Sequence, residues 1–391
     1  MEITIVSNYY PPEIGAASSR IKYLSESLSE KFNYVNVVCP MPNYPEGRVF
    51  ENYRGLLYRS KILKNIRINR YWIYPSNSKS ILDRILSMLS FSVSLWFYAF
   101  KFNSIRKSKW IIIQNSPLLV SFSSIILFKY IFRRKIALNV SDLWPLTALE
   151  LGVVKKNKFY SFLEFLEKFN YKSADLIMGQ SKEIIEHISY IADKKMFLYR
   201  NLPKNINTKL STNKNKKFKI VYAGLMGVAQ GIYDIVKNVD FKVLDVEFHL
   251  YGSGNELKLI QNYIKSNPNS NIFYNGSISK EELLKALPKF QASIVPLITY
   301  IKGAVPSKIF ELIGLGIPIL YLGKGEAANL INDWKVGYVC KPKEFKALEV
   351  NIKKLLMSNS EYMKLKKNCL NVSKTELDLK KQINKLINLL K

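Results

Sequence analysis

Residues Val305–Ile319 constrain the chain more than any other stretch. They read Val-Pro-Ser-Lys-Ile-Phe-Glu-Leu-Ile-Gly-Leu-Gly-Ile-Pro-Ile. Pro306 turns the chain and Ser307 stands at an N-cap position. Ile309, Leu312 and Ile313 recur at helical spacing, and Gly314 and Gly316 end the run before an apolar strand, Ile317–Leu322. Lys308 and Glu311 are three positions apart and so share one face close to the helix start. A helix start carries unpaired N–H groups and partial positive charge, so a lysine there suits a phosphate. A carboxylate on the same face can accept two ribose hydroxyls. An ordinary surface Lys–Glu pair on a capped helix would look the same from this stretch alone.

The rest of the chain alternates strand, loop and helix. Met1–Ser7 is an apolar strand, and a helix over about Ala17–Lys31 carries Ile21, Leu24 and Leu28 on one face. This is the opening unit of a doubly wound α/β fold, although the single Gly15 between them is no dinucleotide fingerprint. The loop Pro40–Gly47 is too rich in proline for regular structure and contains Tyr44 and Glu46. Trp110–Gln114 and Lys135–Val140 are apolar throughout, as parallel strands are. The second ends in Ser141-Asp-Leu-Trp-Pro, which puts Asp142 either where open α/β sheets bind ligands or at the cap of the next helix. Residues 203–217 hold little beyond Lys, Asn, Thr and Ser and mark a boundary. The expected domains are therefore 1–203 and 204–375, with a C-terminal helix in 376–391. Beyond the boundary, Phe218–Ala223 leads into Gly224-Leu-Met-Gly-Val-Ala-Gln-Gly231 and a helix. Val246–Leu250 leads into Gly252, and Ile272–Tyr274 into Asn275. Glycines between a strand and a helix start suit a diphosphate. His249, inside a strand, reads as a packing residue.

The 391 residues suit two domains, and a hydrophobic content of 48% excludes a largely disordered chain. Three cysteines and two histidines, widely spaced, form neither a disulfide framework nor a metal-ligand pattern. The first residues lack a basic leader, which leads to the expectation of a cytoplasmic protein. A net charge of +29 calls for an anionic partner. From Arg84 to Ser141 there are nine basic positions (84, 101, 106, 107, 109, 129, 133, 134 and 135) and no Asp or Glu, alongside the apolar runs Ile85–Phe100 and Trp110–Phe128. Basic next to apolar points to an anionic membrane surface rather than to nucleic acid. A buried core helix and strand with solvated ends gives the same pattern. The helix over Ile81–Asn103 fits either.

Val-Pro-Ser-Lys-Ile-Phe-Glu followed by Gly-Leu-Gly-Ile-Pro resembles the nucleotide-sugar motif of the family 4 retaining glycosyltransferases. Within them it is most similar to the branch of fucosamine transferases of bacterial O-antigen and capsule synthesis. The resemblance runs over nearly the whole chain, through Tyr-Tyr-Pro-Pro-Glu-Ile-Gly at 9–15, Asp-Leu-Trp-Pro at 142–145 and Ala-Gln-Gly at 229–231. It implies a GT-B fold, in which two doubly wound Rossmann-like domains face each other across a cleft. It implies a UDP-sugar donor held by Gly224, Gly227, Gln230, Gly231, Gly252, Asn275, Ser307, Lys308 and Glu311, with Lys308 on the diphosphate and Glu311 on the ribose. Asp142 and Gly15 fall at the reacting centre, and Arg20, Tyr44 and Glu46 on the acceptor side. The implied acceptor is a polyprenyl-diphosphate-linked glycan on the inner face of the cell membrane. Neither a cofactor nor a metal is implied. Three departures stand out: Ser141 where a histidine is common, Gly303 where a first glutamate is common, and Leu225 with Gln230 where many members carry Arg and Lys. Two other readings compete with this one. One is a UDP-sugar epimerase on the same scaffold, and the other a basic, non-catalytic nucleic-acid-binding protein.

Overall fold

A computed structural model describes residues 2–78, 80–102, 107–203 and 217–391. Arg106 and nearly all of the polar boundary stretch lie outside the described residues. The chain forms two compact units, Met1–Asn201 with Lys380–Lys391, and Leu202–Leu379.

The first unit is built on an eight-stranded sheet: β1 (Glu2–Val6), β2 (Tyr34–Pro40), β3 (Tyr58–Leu63), β4 (Ile66–Tyr71), β5 (Trp110–Gln114), β6 (Lys135–Val140), β7 (Leu176–Gly179) and β8 (Lys195–Leu198). Its order is β3-β4-β2-β1-β5-β6-β7-β8, parallel except for the antiparallel edge strand β3. The order reverses between β1 and β5, which makes their carboxyl ends the switch point of the sheet. The central strands are apolar because helices cover both faces. These are α1 (Ala16–Ser29), α2 (Ile81–Lys101), α3 (Leu118–Ile125), α4 (Leu146–Glu150), α5 (Lys158–Ser173) and α6 (Lys182–Ser189). The second apolar run is not one element. It breaks after Gln114 and resumes as α3, which continues as a wide turn over Ile126–Ile131. No helix among the described residues is long and apolar enough to cross a membrane.

The second unit holds a six-stranded parallel sheet: β9 (Phe218–Ala223), β10 (Val246–Tyr251), β11 (Ile272–Tyr274), β12 (Ala292–Pro296), β13 (Ile319–Leu322) and β14 (Gly337–Cys340), in the order β11-β10-β9-β12-β13-β14. Its switch point is between β9 and β12. Around it lie α7 (Ile232–Asn238), α8 (Leu257–Ser266), α9 (Lys280–Ala286), α10 (Lys308–Gly314), α11 (Glu326–Trp334), α12 (Phe345–Met357) and α13 (Asn359–Thr375). The strand after the central motif starts at Ile319, two residues later than its apolar run, because Pro318 has no N–H to give the ladder. The last helix, α14 (Leu379–Leu390), binds within the first unit. The Gln382 side chain accepts from Arg200 N–H and donates to Arg200 C=O, both at 3.0 Å.

Candidate active site

In the second unit Gly224, Gly227, Gln230 and Gly231 follow β9, Gly252 follows β10 and Asn275 follows β11, while Ser307 precedes α10, which holds Lys308 and Glu311. The two glycine loops interlock. Gly224 N–H donates to Tyr251 C=O at 3.0 Å, Met226 N–H to Ser253 C=O at 2.8 Å, and Gly252 N–H to Gly276 C=O at 2.9 Å. A Cβ on Gly252 would lie 2.0 Å from the Gly224 carbonyl oxygen, so only glycine lets these backbones approach. Gly252 also holds φ +126°, a value side chains rarely adopt. At the switch point, Ile298 N–H donates to Ala229 C=O at 2.9 Å, so the loop after β12 closes over the loop after β9.

Lys308 lies against the first of these loops. Its Nζ is 4.4 Å from the centre of the Tyr222 ring, and a Cβ on Gly224 would come within 2.5 Å of that nitrogen. Gly224 therefore makes room for the ammonium. Burial pushes the Lys308 pKa down to about 8, and the Glu311 carboxylate opposes the shift. At pH 7 the side chain is still mostly the cation. Within this loop Gly224 N–H and Gly231 N–H are engaged with carbonyls, Tyr251 and Gly227 respectively. Gly224 allows a close approach, and the Lys308 ammonium lies against the loop.

Other expected donor residues make contacts within the chain. Ser307 precedes α10 but has a helical backbone and makes no side-chain cap bond. Glu311 is held by Lys280, whose Nζ is 2.6 Å from its Oε1. Sequence reasoning missed this lysine. It opens α9, whose start is fixed by a capping box of Ser279 with Glu282. That pattern is visible in the sequence and locates the helix start, but nothing local identifies the partner of Lys280. Asn275 is exposed, and its Nδ2 donates to His249 Nδ1 at 3.3 Å. This leaves His249 Nε2 to donate to Glu247, at 3.0 Å, while Lys219 holds the same carboxylate at 2.8 Å. The His249 ring stacks on Phe273 at 5.0 Å, a packing role. Gly231 begins α7 in a left-handed conformation against Ile298, and the Gln230 side chain folds over Gly227.

In the first unit, Asp142 follows β6 and is exposed. It caps no helix, since α4 begins at Leu146 with Pro145 before it. Arg20, one turn into α1, is only 6% exposed. It does not pair with Glu13. Its Nη2 donates to Gln180 Oε1 at 2.8 Å, and its Nε and Nη1 have no hydrogen-bond partner. Burial lowers its pKa, opposed first by Asp142 and then by Tyr199. A buried guanidinium with two unmatched donors beside an exposed carboxylate can take a further acceptor oxygen. On α5, buried Glu167 accepts from Tyr171 Oη at 2.9 Å, and burial pushes the Glu167 carboxyl up to about 7.

The loops after β1 and β2 are fixed by two residues whose role the sequence did not reveal. Glu13, buried, accepts from the N–H groups of Tyr10, Asn43 and Tyr44 at 3.2, 3.0 and 3.0 Å. Arg70, also buried, donates to the carbonyls of Pro40, Tyr10 and Pro11. Together they tie the 9–15 loop to the 40–47 loop. Tyr44 is exposed with its ring edge-on to Tyr9 at 5.4 Å, Glu46 is exposed, and Gly15 is an exposed residue immediately before α1. Among the described residues no three His, Cys, Asp or Glu side chains are grouped so as to hold a metal ion.

Two doubly wound units with these switch points define a GT-B fold, and solved structures agree. Sucrose-phosphate synthase from Thermosynechococcus elongatus superposes with a TM-score of 0.74 at 13% identity, covering 99% of this chain and 98% of that one. WaaG, a glycosyltransferase involved in lipopolysaccharide biosynthesis, gives 0.67 at 13% identity, with 99% of each chain covered. Anabaena HepE in complex with UDP gives 0.71 at 12% identity, covering 100% and 99%. Residues 204–371, most of the second unit, match the family model of glycosyl transferases group 1. No curated protein matches the sequence.

Proposed function

We propose that the protein is a retaining glycosyltransferase that moves a sugar from a UDP-sugar to a polyprenyl-diphosphate-linked glycan at an anionic membrane surface, in O-antigen or capsule synthesis. The observation that carries the reading is the Lys308 ammonium lying on the Gly224 loop at the switch point of the second sheet. There it meets the negative charge that develops on the departing diphosphate without having to reorganise. The family match over 204–371 supports sugar transfer, and the UDP bound in the HepE structure supports a UDP donor. An acetamido-deoxyhexose such as N-acetyl-L-fucosamine is the sugar that the motif resemblance favours.

In this reading the second unit takes the donor. Glu311 exchanges Lys280 for the ribose hydroxyls, and Asn275 borders the base. The first unit takes the acceptor. Asp142 orients or deprotonates its hydroxyl. Arg20, with two unmatched donors, supplies a fixed positive charge beside Asp142, and the Gly15 backbone approaches the reacting centre. The hydroxyl attacks the anomeric carbon from the face that the diphosphate leaves, which retains configuration. The charge at the leaving group is supplied by Lys308, so no metal is invoked and a chelator should leave the rate unchanged.

The test is incubation of the purified protein with a panel of UDP-sugars and a short-chain polyprenyl-diphosphate sugar. Masses of both products and the anomeric configuration of the new linkage would be read. Extended acceptor plus UDP, with retained configuration, is expected. Epimerised UDP-sugar without acceptor extension would replace the reading with an epimerase. Transfer from GDP- or ADP-sugars alone would overturn the donor assignment.

A further inference from the structure

Helix α2 has two apolar faces. Phe91, Leu95, Tyr98 and Ala99 are buried in the core of the first unit. On the other side Leu82, Leu86, Leu89, Val93, Phe97 and Phe100 are exposed, between 44% and 72%. Their spacing of three and four residues places all six along one line of the helix, a stripe about 27 Å long at the helical rise. A single exposed leucine needs no explanation, but a continuous row of large apolar side chains does.

The chemistry around the stripe says what covers it. At its carboxyl end Phe100 packs edge-on against Phe132 at 5.0 Å, which brings the end of the wide turn beside α2. There Lys101, Arg133 and Lys135 are exposed, with Tyr130 and Ile131 exposed next to them. Nothing between Arg84 and Ser141 is acidic. A second copy of this face would set cations against cations, and nucleic acid would meet the cations but leave the apolar row in water. A bilayer of anionic lipid offers acyl chains for the row and phosphodiesters for the cations at adjacent depths.

We propose that the outer face of α2 lies in the plane of an anionic lipid surface, with the Leu82–Phe100 row below the headgroups and Lys101, Arg133 and Lys135 on their phosphates. This rests on the membrane part of the proposed function and not on the transfer chemistry. It names the element that makes contact.

The test is co-sedimentation of the full chain with vesicles of phosphatidylcholine containing phosphatidylglycerol, against vesicles of phosphatidylcholine alone. Binding to the anionic vesicles that weakens with added salt is expected. The double variant Val93→Asp, Phe97→Asp should lose at least about tenfold in partitioning. Lys101→Glu with Arg133→Glu should remove the preference for anionic vesicles. All four positions are exposed, so melting temperature and UDP affinity should match the parent protein. Undiminished vesicle binding by the Asp double variant would overturn the assignment. So would a parent dimer, seen by sedimentation, that the same variant dissolves without any vesicle binding. Loss of UDP binding in the parent would sink the transferase reading while leaving the vesicle result interpretable.

Discussion

The two units place chemistry at the same point of the same kind of sheet by different means. In the second unit the carboxyl ends of β9 and β10 carry glycines, and the loops are backbone locked on backbone, with one lysine supplying the charge. In the first unit the carboxyl ends of the strands carry side chains. Asp142 stands in solvent, Arg20 is buried behind it on Gln180, and Glu13 and Arg70 tie two proline-rich loops together. A diphosphate is a common denominator of many donors and can be met by a shape that tolerates no Cβ. In the proposed function an acceptor has no such common group, and the side chains of the first unit would serve it. The stability of the first unit should therefore respond to changes of charge and pH, and that of the second unit's glycine loops to changes of volume.

The largest effect expected is on rate. Asp142→Asn should cut transfer by about a hundredfold to ten-thousandfold, the range for a lost general base, and leave UDP affinity within a factor of two or so. Loss of UDP binding in that variant would move Asp142 to the donor side and erase the contrast. Next comes the volume test. Gly252→Ala puts a methyl where the Gly224 carbonyl already is, at a strained φ, and should cost about 3 kcal/mol or prevent folding of the second unit. Gly15→Ala meets nothing within 4 Å and should cost only the backbone strain, about 1 kcal/mol. Equal destabilisation in thermal melts would refute the claim that the second unit is the volume-sensitive one.

The pH test is directed at the first unit. Glu167 has its carboxyl pushed up to about 7 by burial, so the folded protein holds a proton there that the unfolded chain has released above its ordinary value near 4.5. Stability from this group is fully present below pH 4.5 and falls as the pH rises to 7. Glu167→Gln keeps an acceptor for Tyr171 and should flatten that part of the stability curve, with a gain of up to about 3 kcal/mol at pH 8. An unchanged slope in urea titrations across that range would contradict it. The smallest effect belongs to the Lys280–Glu311 pair at the edge of the second unit. Lys280→Ala should change stability by less than about 1 kcal/mol, as partly exposed pairs do. It should leave UDP affinity equal or slightly higher, since Glu311 is released. A large loss of affinity would make Lys280 a donor ligand.

What the sequence revealed follows the same division. The apolar runs of β5, β6 and β9 and the glycines that end β9 and β10 are local signals, and the α/β reading came from them. The exposed strand β3 was missed because Tyr58–Leu63 has no buried face and so no periodicity to read. The site side chains of the first unit were hidden for another reason. Arg20 finds Gln180, and Glu13 finds Asn43 and Tyr44, across distances in sequence that no spacing rule covers. The pairing of Glu311 with Lys280 is of the same kind. The sequence of α2 fits two readings, core helix or interfacial anchor. A helix with apolar residues around most of its circumference can have one buried face and one exposed face.

The central claim is that Lys308 on the Gly224 loop makes a UDP site. Calorimetric titration of the parent protein and Lys308→Met with UDP, with GDP and ADP as controls and no added metal, addresses it most directly. Selective UDP binding that weakens as the pH rises through about 8, where Lys308 loses its charge, is the predicted result. Lys308→Met should bind about thirtyfold less tightly and show no such pH dependence, the loss of one charge-assisted contact. UDP binding that is unselective, or equal in the parent and Lys308→Met at every pH, would contradict the account.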